Sequence, residues 1–326
     1  LLNAAISTPL SDIKIFFPGR TWAMRARLES NFCNSNKNPT IFIIGDAAHE
    51  MPPSGGFGLN TAVQDAHNLA WKLATAYHTN DSRLLTTYES ERRPAAAVSI
   101  AVAFDNWRRG LTVPSALGAP PALLNVARSI CSPLPNFFFD TAFSIARTLV
   151  FSSPALRASQ AHLAELLNRK QDLPLFFPRI DLGVRYDQEA LQAVLEALLN
   201  ARHPSGAEPY NPIFAPGHRL PHFTLPDGRA SLDLVTQATE KGKSPIWSLL
   251  IFDNKNTKHL DLKEHESCIS MFVTTAPLSN VASNIPDAVL VRPDGIVAAV
   301  FSHNELFDDQ AELLSLIRSA LTLEKK

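Results

Sequence analysis

Cysteine is scarce in this chain. Its 326 residues hold three, Cys33, Cys131 and Cys268, far apart and odd in number. They make no C-x-x-C pair and no metal-ligand spacing, so a dithiol redox site and a cysteine zinc centre are excluded. Scattered cysteines suit a reducing compartment, and a cytoplasmic protein is the expectation. No two histidines stand at ligand spacing on a helix, so no metal is expected. Charge of one sign is lacking too: 30 Lys and Arg face 31 Asp and Glu, for a net charge of −1. Neither nucleic acid nor an anionic membrane surface is expected as a partner. No apolar run approaches the length of a membrane-spanning helix. There is no G-x-S-x-G, which disfavours a hydrolase with a nucleophile elbow. There is also no G-x-G-x-x-G turn, so the usual cradle for a dinucleotide's ADP half is missing.

Hydrophobic residues make up 45% and charged residues 19%, a normal balance for a globular protein with a core. The length suggests about two domains. The densest information lies in residues 41–74, IFIIGDAAHEMPPSGGFGLNTAVQDAHNLAWKLA. A short apolar run, residues 41–44, predicts a buried strand stopped by Gly45. Asp46 then stands at the strand's carboxyl end, where open α/β sheets place ligand contacts. Pro52 and Pro53 stiffen the next stretch, and Gly55, Gly56 and Gly58 let the backbone approach a ligand closely. Asn60 is expected to open a helix with Val63, Ala66, Leu69, Ala70, Leu73 and Tyr77 along its inner face. A glycine loop feeding a helix start offers N–H groups and a positive dipole end to an electron-rich ligand edge.

Taken in this order, the stretch resembles the second flavin-binding motif of the FAD-dependent aromatic hydroxylases, the para-hydroxybenzoate hydroxylase and phenol hydroxylase group. The resemblance rests on Gly45-Asp46-Ala47-Ala48-His49, Pro52-Pro53, Gly55-Gly56, Gly58-Leu59-Asn60, Asp65-Ala66 and Asn68-Leu69-Ala70-Trp71-Lys72-Leu73-Ala74. It implies that Asp46 contacts the ribityl and pyrophosphate part of FAD. It implies that Gly55, Gly56, Gly58, Leu59 and Asn60 lie along the isoalloxazine ring. Pro53 would border both the cofactor and the substrate pocket. His49 follows Asp46 by three, a spacing open to acid–base work; a structural role is the preferred reading. Further on, Tyr88, Glu89, Glu91, Arg92, Arg93 and Pro94 fit a Y-x-x-E-R-x-P pattern of the same family. Ion pairing along the helix and against neighbouring elements is preferred there to catalysis.

Residues 1–40 read as the connection from a preceding substrate domain, with a strand at 12–17. Residues 41–176 read as the C-terminal half of an FAD-binding domain of glutathione-reductase type. They include a second helix over 84–109 capped by Asp81 or Ser82, an apolar patch at 136–139 and a helix at 158–170. Residues 177–326 resemble the thioredoxin-like C-terminal domain of the phenol hydroxylase branch. That resemblance rests on G-x-R-x-P at 217–221 and R-P-D-G at 292–295. Strands are expected at 247–252, 269–274, 288–292 and 296–301, with the last two joined by a hairpin turn at Pro293-Asp294-Gly295. A final helix is expected over 309–323. Lacking paired cysteines, this domain is assigned a structural job: covering the flavin domain or forming a homodimer interface.

The fold class expected is therefore α/β: a partial FAD-binding domain without its N-terminal Rossmann half, then a thioredoxin-like domain. The resemblance implies a monooxygenase that hydroxylates a phenolic or polyketide-type aromatic substrate with FAD, NAD(P)H and O₂. The alternatives are a flavin-free isomerase or cyclase that reuses the same cleft, and a non-catalytic interaction module.

Overall fold

A computed structural model gives the architecture. It describes residues 24–112, 161, 164, 185–186, 212–225, 228–240, 247–252, 269–273 and 285–302. The strand expected at 12–17, the patch at 136–139 and the final helix at 309–323 lie outside the described residues. Of the helix expected at 158–170 only residues 161 and 164 are described, and both are helical. The chain divides into two compact units, Ala26–Phe104 with Leu175–Lys326, and Leu1–Arg25 with Asp105–Pro174. The described part of the second unit is short. There, Arg109 Nε donates to Asp105 Oδ2 at 2.9 Å, one helical turn away.

In the first unit, β1 (Arg27–Leu28) pairs antiparallel with β2 (His49–Glu50). The segment between them is irregular. The strand expected at 41–44 is not formed. Its backbone pairing is one bridge between Cys33 and Phe42, the Ile43 N–H on the Phe32 carbonyl at 3.0 Å, and the Asn34 N–H on the Ile41 carbonyl at 3.2 Å. Ile41 is 63% exposed and Ile44 40%. A strand is defined by its partners, and among the described residues this segment has a short one on one edge only. A 3-10 turn, Gly45–Ala47, follows at once. Gly45 has φ +58°, and a Cβ there would stand 3.2 Å from the Ala62 side chain. The turn therefore needs glycine both for its left-handed backbone and for its close approach to the next helix.

That helix, α1, runs Phe57–Thr79, starting three residues before Asn60. Asn80, with φ 55°, ends it. A 3-10 turn at Arg83–Thr86 leads into α2, Thr87–Gly110. Asp81 rather than Ser82 caps this turn, accepting the Arg83 N–H at 3.0 Å.

Of the inner face expected for α1, only Leu69 is buried. Val63, Leu73 and Tyr77 face solvent with Leu59, and Ala66 and Ala70 are exposed between them. The buried face instead carries Thr61, Asp65, Asn68 and Lys72, with Leu69 and Trp71 beside them. Helical spacing of apolar residues marks a stripe but not its direction. Here the stripe points out because the buried polar groups find ionic partners on α2 and beyond. Phe32, Ala48, Leu69, Leu85, Tyr88 and Ala96 supply the apolar core beside them.

The C-terminal portion of the unit builds a four-stranded mixed sheet from β3 (Trp247–Ile251), β4 (Ile269–Val273), β5 (Ala288–Val291) and β6 (Val297–Phe301). The order is β4-β3-β5-β6; β3 and β4 are parallel, and β5 is antiparallel to both its neighbours. Each strand lies within a residue of its expected bounds. The R-P-D-G turn joins β5 to β6, closed by the Gly295 N–H on the Arg292 carbonyl at 2.9 Å. The G-x-R-x-P segment lies beside it, with Arg219 bridged to Ile296. A helix that the sequence reading missed, α3 (Ser231–Glu240), packs on β3. Its signal was Asp233, whose carboxylate reaches back to the Ala230 N–H at 2.7 Å. Leu220, Phe223, Leu234, Leu250, Val289 and Val297 are central to the core of this portion.

Candidate cofactor-binding site

The loop from Pro53 to the start of α1 is open. Pro53, Gly55, Gly56, Leu59 and Asn60 are exposed, as is Asp46 on the 3-10 turn; Gly58 is half-buried. A turn from Pro53 to Gly56 is closed by the Gly56 N–H on the Pro53 carbonyl at 3.2 Å. Gly56 then caps α1 with φ +70° and no side-chain acceptor. A Cβ on Gly56 would meet nothing within 4 Å. Its strictness is therefore conformational on the protein side, with open space on the other. No acid lies in the first turn, so the positive end of the helix is not neutralised from within. Asn60 Nδ2 donates to the Gly56 carbonyl at 2.9 Å, tying the cap to the turn after it. An open cap, a positive dipole end and glycines at the surface fit a flat ligand with an electron-rich edge. The residues present thus fit a flavin ring.

Behind the loop stands a buried ionic network. Asp65, fully buried, accepts from His49 Nε2 at 2.7 Å, Arg92 Nε at 2.8 Å and the Gly45 N–H at 3.2 Å. It therefore fixes the Gly45 turn to α1. His49, 2% exposed, is held inside this cluster, which agrees with a structural role. Burial pushes the Asp65 carboxyl up, but the His49 hydrogen bond and the Arg92 charge outweigh it and hold the group below the usual carboxylate value.

Glu91 is the hub of a second cluster. It accepts from Lys72 Nζ at 2.9 Å, Asn68 Nδ2 at 2.8 Å and both Arg292 Nη atoms at 2.9 and 2.8 Å. Arg292 also grips Asp294, within its own hairpin turn, at 3.0 and 2.6 Å. Asp294 takes the Trp71 indole N–H at 3.0 Å. Tyr186, from the D-L-G-V-R-Y stretch, lies within 3.3 Å of Asn68 Nδ2 and 3.2 Å of Arg92 Nη1. The family-like Glu91 and Arg92 are thus clamps, as the ion-pairing reading expected. The Glu91 partner Arg292 is 201 residues away in sequence, which no helix spacing could disclose.

These clusters set the acid response. Burial raises the Glu91 carboxyl, yet Arg292 and Lys72 bring it below its ordinary 4.5. For both acids the folded state holds the proton more weakly than the unfolded chain does. Their stabilisation is complete above the ordinary values of 3.8 and 4.5 and is lost as pH falls below them. Lys72 acts oppositely. Burial lowers it to about 8 from 10.5 despite Glu91, so its cost eases as pH rises through that window. The expected result is a urea midpoint that is flat from neutral pH to about 5 and falls steeply below about 4. A midpoint unchanged at pH 3 would contradict the pairing.

Residues 5–103 match the FAD binding domain family. Aligned over 341 positions, the chain is 46% identical to the 4-methyl-5-nitrocatechol 5-monooxygenase of Burkholderia sp, covering 98% of this chain and 50% of that protein. The rebeccamycin biosynthetic enzyme RebC, solved with reduced flavin, is similar at 26% identity and a TM-score of 0.58, over 92% of this chain and 48% of that one. The flavin-dependent monooxygenase PieE, solved with FAD and substrate, shares the fold at 23% identity and a TM-score of 0.62, over 92% of this chain and 50% of that one. The chain spans about half the length of this relative and of both structures. Among the described residues no helix is long and apolar enough to cross a membrane. The chain thus carries an FAD binding domain match that includes its glycine loop, and it is similar in sequence to a curated monooxygenase over half of that protein's length.

Proposed function

We propose that the chain is the C-terminal portion of an FAD-dependent monooxygenase that hydroxylates a phenolic or polyketide-type ring using NAD(P)H and O₂. The observation that carries this is the open start of α1 at Gly56, which has no side-chain cap, inside the FAD binding domain match. FAD, when bound, supplies the redox chemistry that activates oxygen. The chain's own residues hold and orient it. Asp46 accepts from the ribityl hydroxyls. Gly55, Gly56 and Gly58, which carry no side chains, would let the loop's backbone approach the ring. The helix end stabilises negative charge at the ring's pyrimidine edge, while Leu59, Asn60 and Pro53 line its border, Pro53 on the substrate side.

Residues 41–176 form, in this reading, the later half of the FAD domain, preceded by a connection at 1–40 and followed by a thioredoxin-like domain at 177–326. The exposed stripe on α1, with Ile41 and Ile44, supports a further segment that covers this face and holds the ADP half of FAD. The strand order β4-β3-β5-β6, with only β5 reversed, supports the thioredoxin-like assignment. A substituted catechol is the first substrate class to test, because the 46% identical relative is named for one.

Titration of FAD and of FMN into the chain, read by flavin fluorescence, tests the reading. A site built for the ring and ribityl chain alone binds both weakly and alike, and Gly56→Val weakens both. FAD held far more tightly than FMN would sink the partial-domain reading. Failure of either flavin to bind would sink the flavin reading.

A further inference from the structure

A cavity of about 490 Å³ lies away from the glycine loop, between the far face of α1 and the sheet portion of the same unit. Its walls are Trp71, Leu232, Val235, Pro293 and Ile296, apolar or largely so, and polar groups stand among them: Gln64, His67, Asn68, Arg219 and Asp294. The two acceptors differ. The Asp294 carboxylate is already occupied by Arg292, Trp71 and Asn68. Asn68, 1% exposed, spends its Nδ2 on Glu91, while its carbonyl oxygen is buried with no partner. Such an orphan is costly unless something donates to it. Arg219 is half-buried at the rim, its backbone bridged to Ile296, and no carboxylate within the described residues pairs with its guanidinium.

We infer that this cavity is a binding site for a small carboxylic acid with an apolar, ring-sized body. The carboxylate would take the planar fork of Arg219, the geometry that guanidinium groups match best. The body would rest against Leu232, Val235, Ile296 and the Trp71 rim. The volume is within the usual range of small-molecule sites, roughly 300–1,000 Å³. The site is separate from the proposed flavin contacts and needs no flavin. Yet it touches α1 at Asn68 and Trp71, on the helix whose other end forms the loop, so occupancy also bears on the clamp at Glu91 and Asp294.

Benzoate, salicylate and neutral benzyl alcohol serve as probes, titrated into the flavin-free chain by calorimetry and followed by tryptophan emission. Benzoate should bind saturably, about tenfold or more tightly than benzyl alcohol, because a charged hydrogen bond distinguishes them. Salicylate should bind at least as well as benzoate. Arg219→Gln should weaken benzoate about tenfold while leaving benzyl alcohol unchanged, and Ala70→Phe, which enlarges an exposed residue lining the cavity, should abolish both. Thermal melts of both variants at the wild-type temperature establish that they fold; if Arg219→Gln does not, Arg219→Lys serves in its place. Equal affinity for benzoate and benzyl alcohol, no binding of benzoate, or benzoate affinity indifferent to the loss of Arg219 would each overturn the inference. Flavin titrations are unaffected by any of these outcomes.

Discussion

Arg292→Met should lower the unfolding free energy by about 3–5 kcal/mol, the usual cost of stranding one side of a buried ion pair. Arg292 is 9% exposed and gives two hydrogen bonds to Glu91 and two to Asp294. Its removal leaves two carboxylates facing each other across Lys72 and Asn68, with the Trp71 indole on one of them. The guanidinium also lies over the Trp71 ring at 5.1 Å, and Trp71 packs edge-on against Trp247 at 5.8 Å. Undocking of the hairpin should therefore shift tryptophan emission before the sheet itself unfolds. Chemical unfolding read by fluorescence and by circular dichroism checks both points. The double variant Glu91→Gln with Arg292→Met should lose much less than the sum of the two single losses, since removing both partners leaves fewer stranded charges. A loss under about 1 kcal/mol for Arg292→Met alone would mean that the network is ornamental.

Asp65→Asn is expected to be as damaging, about 3–5 kcal/mol, by a different route. The substitution is nearly isosteric, so packing is kept and only the charge and one acceptor change. Arg92, fully buried, would lose its only paired carboxylate among the described residues and keep the neutral Tyr186 hydroxyl and Thr61 carbonyl. The new amide nitrogen would face a donor in at least one of the Gly45 N–H, His49 and Arg92 directions. The Gly45 turn, held to α1 by that carboxylate, should loosen. Amide hydrogen exchange at Gly45 should then speed up more than exchange in β3 or β5, which tests the local effect separately from the global one. Exchange that rises uniformly, or stability within about 1 kcal/mol of the parent, would refute this account.

The hairpin of β5 and β6 was legible because its turn carries its own instructions: Pro293, Asp294 and Gly295 favour a chain reversal whatever surrounds them. The strands beside it were legible as short, continuous apolar runs. The segment at 41–44 has the same composition and is not a strand, because pairing is supplied by neighbours and not by the segment. The direction of α1 failed for a related reason. Asp65, Asn68 and Lys72 look like a solvated face until Arg92, Glu91 and Arg292 are brought to them, the last from the far end of the chain. The order of prolines and glycines marked a loop before α1, and Pro53 to Asn60 do stand at its open start. The cavity beside Asn68 and Arg219 was not readable, since its walls come from five separated stretches of chain, Tyr186 among them.

The Arg292 turn has one more consequence. Contacts between apolar surfaces are tolerant of direction and let two bodies slide by fractions of a side chain. A guanidinium fork on a carboxylate is not tolerant, because two parallel bonds fix angle as well as distance. The hairpin therefore meets α1 and α2 as a key meets a lock, seated or withdrawn, with no stable pose between. Mechanically, the sheet portion behaves as a latch on the helix pair rather than as a cushion beneath it.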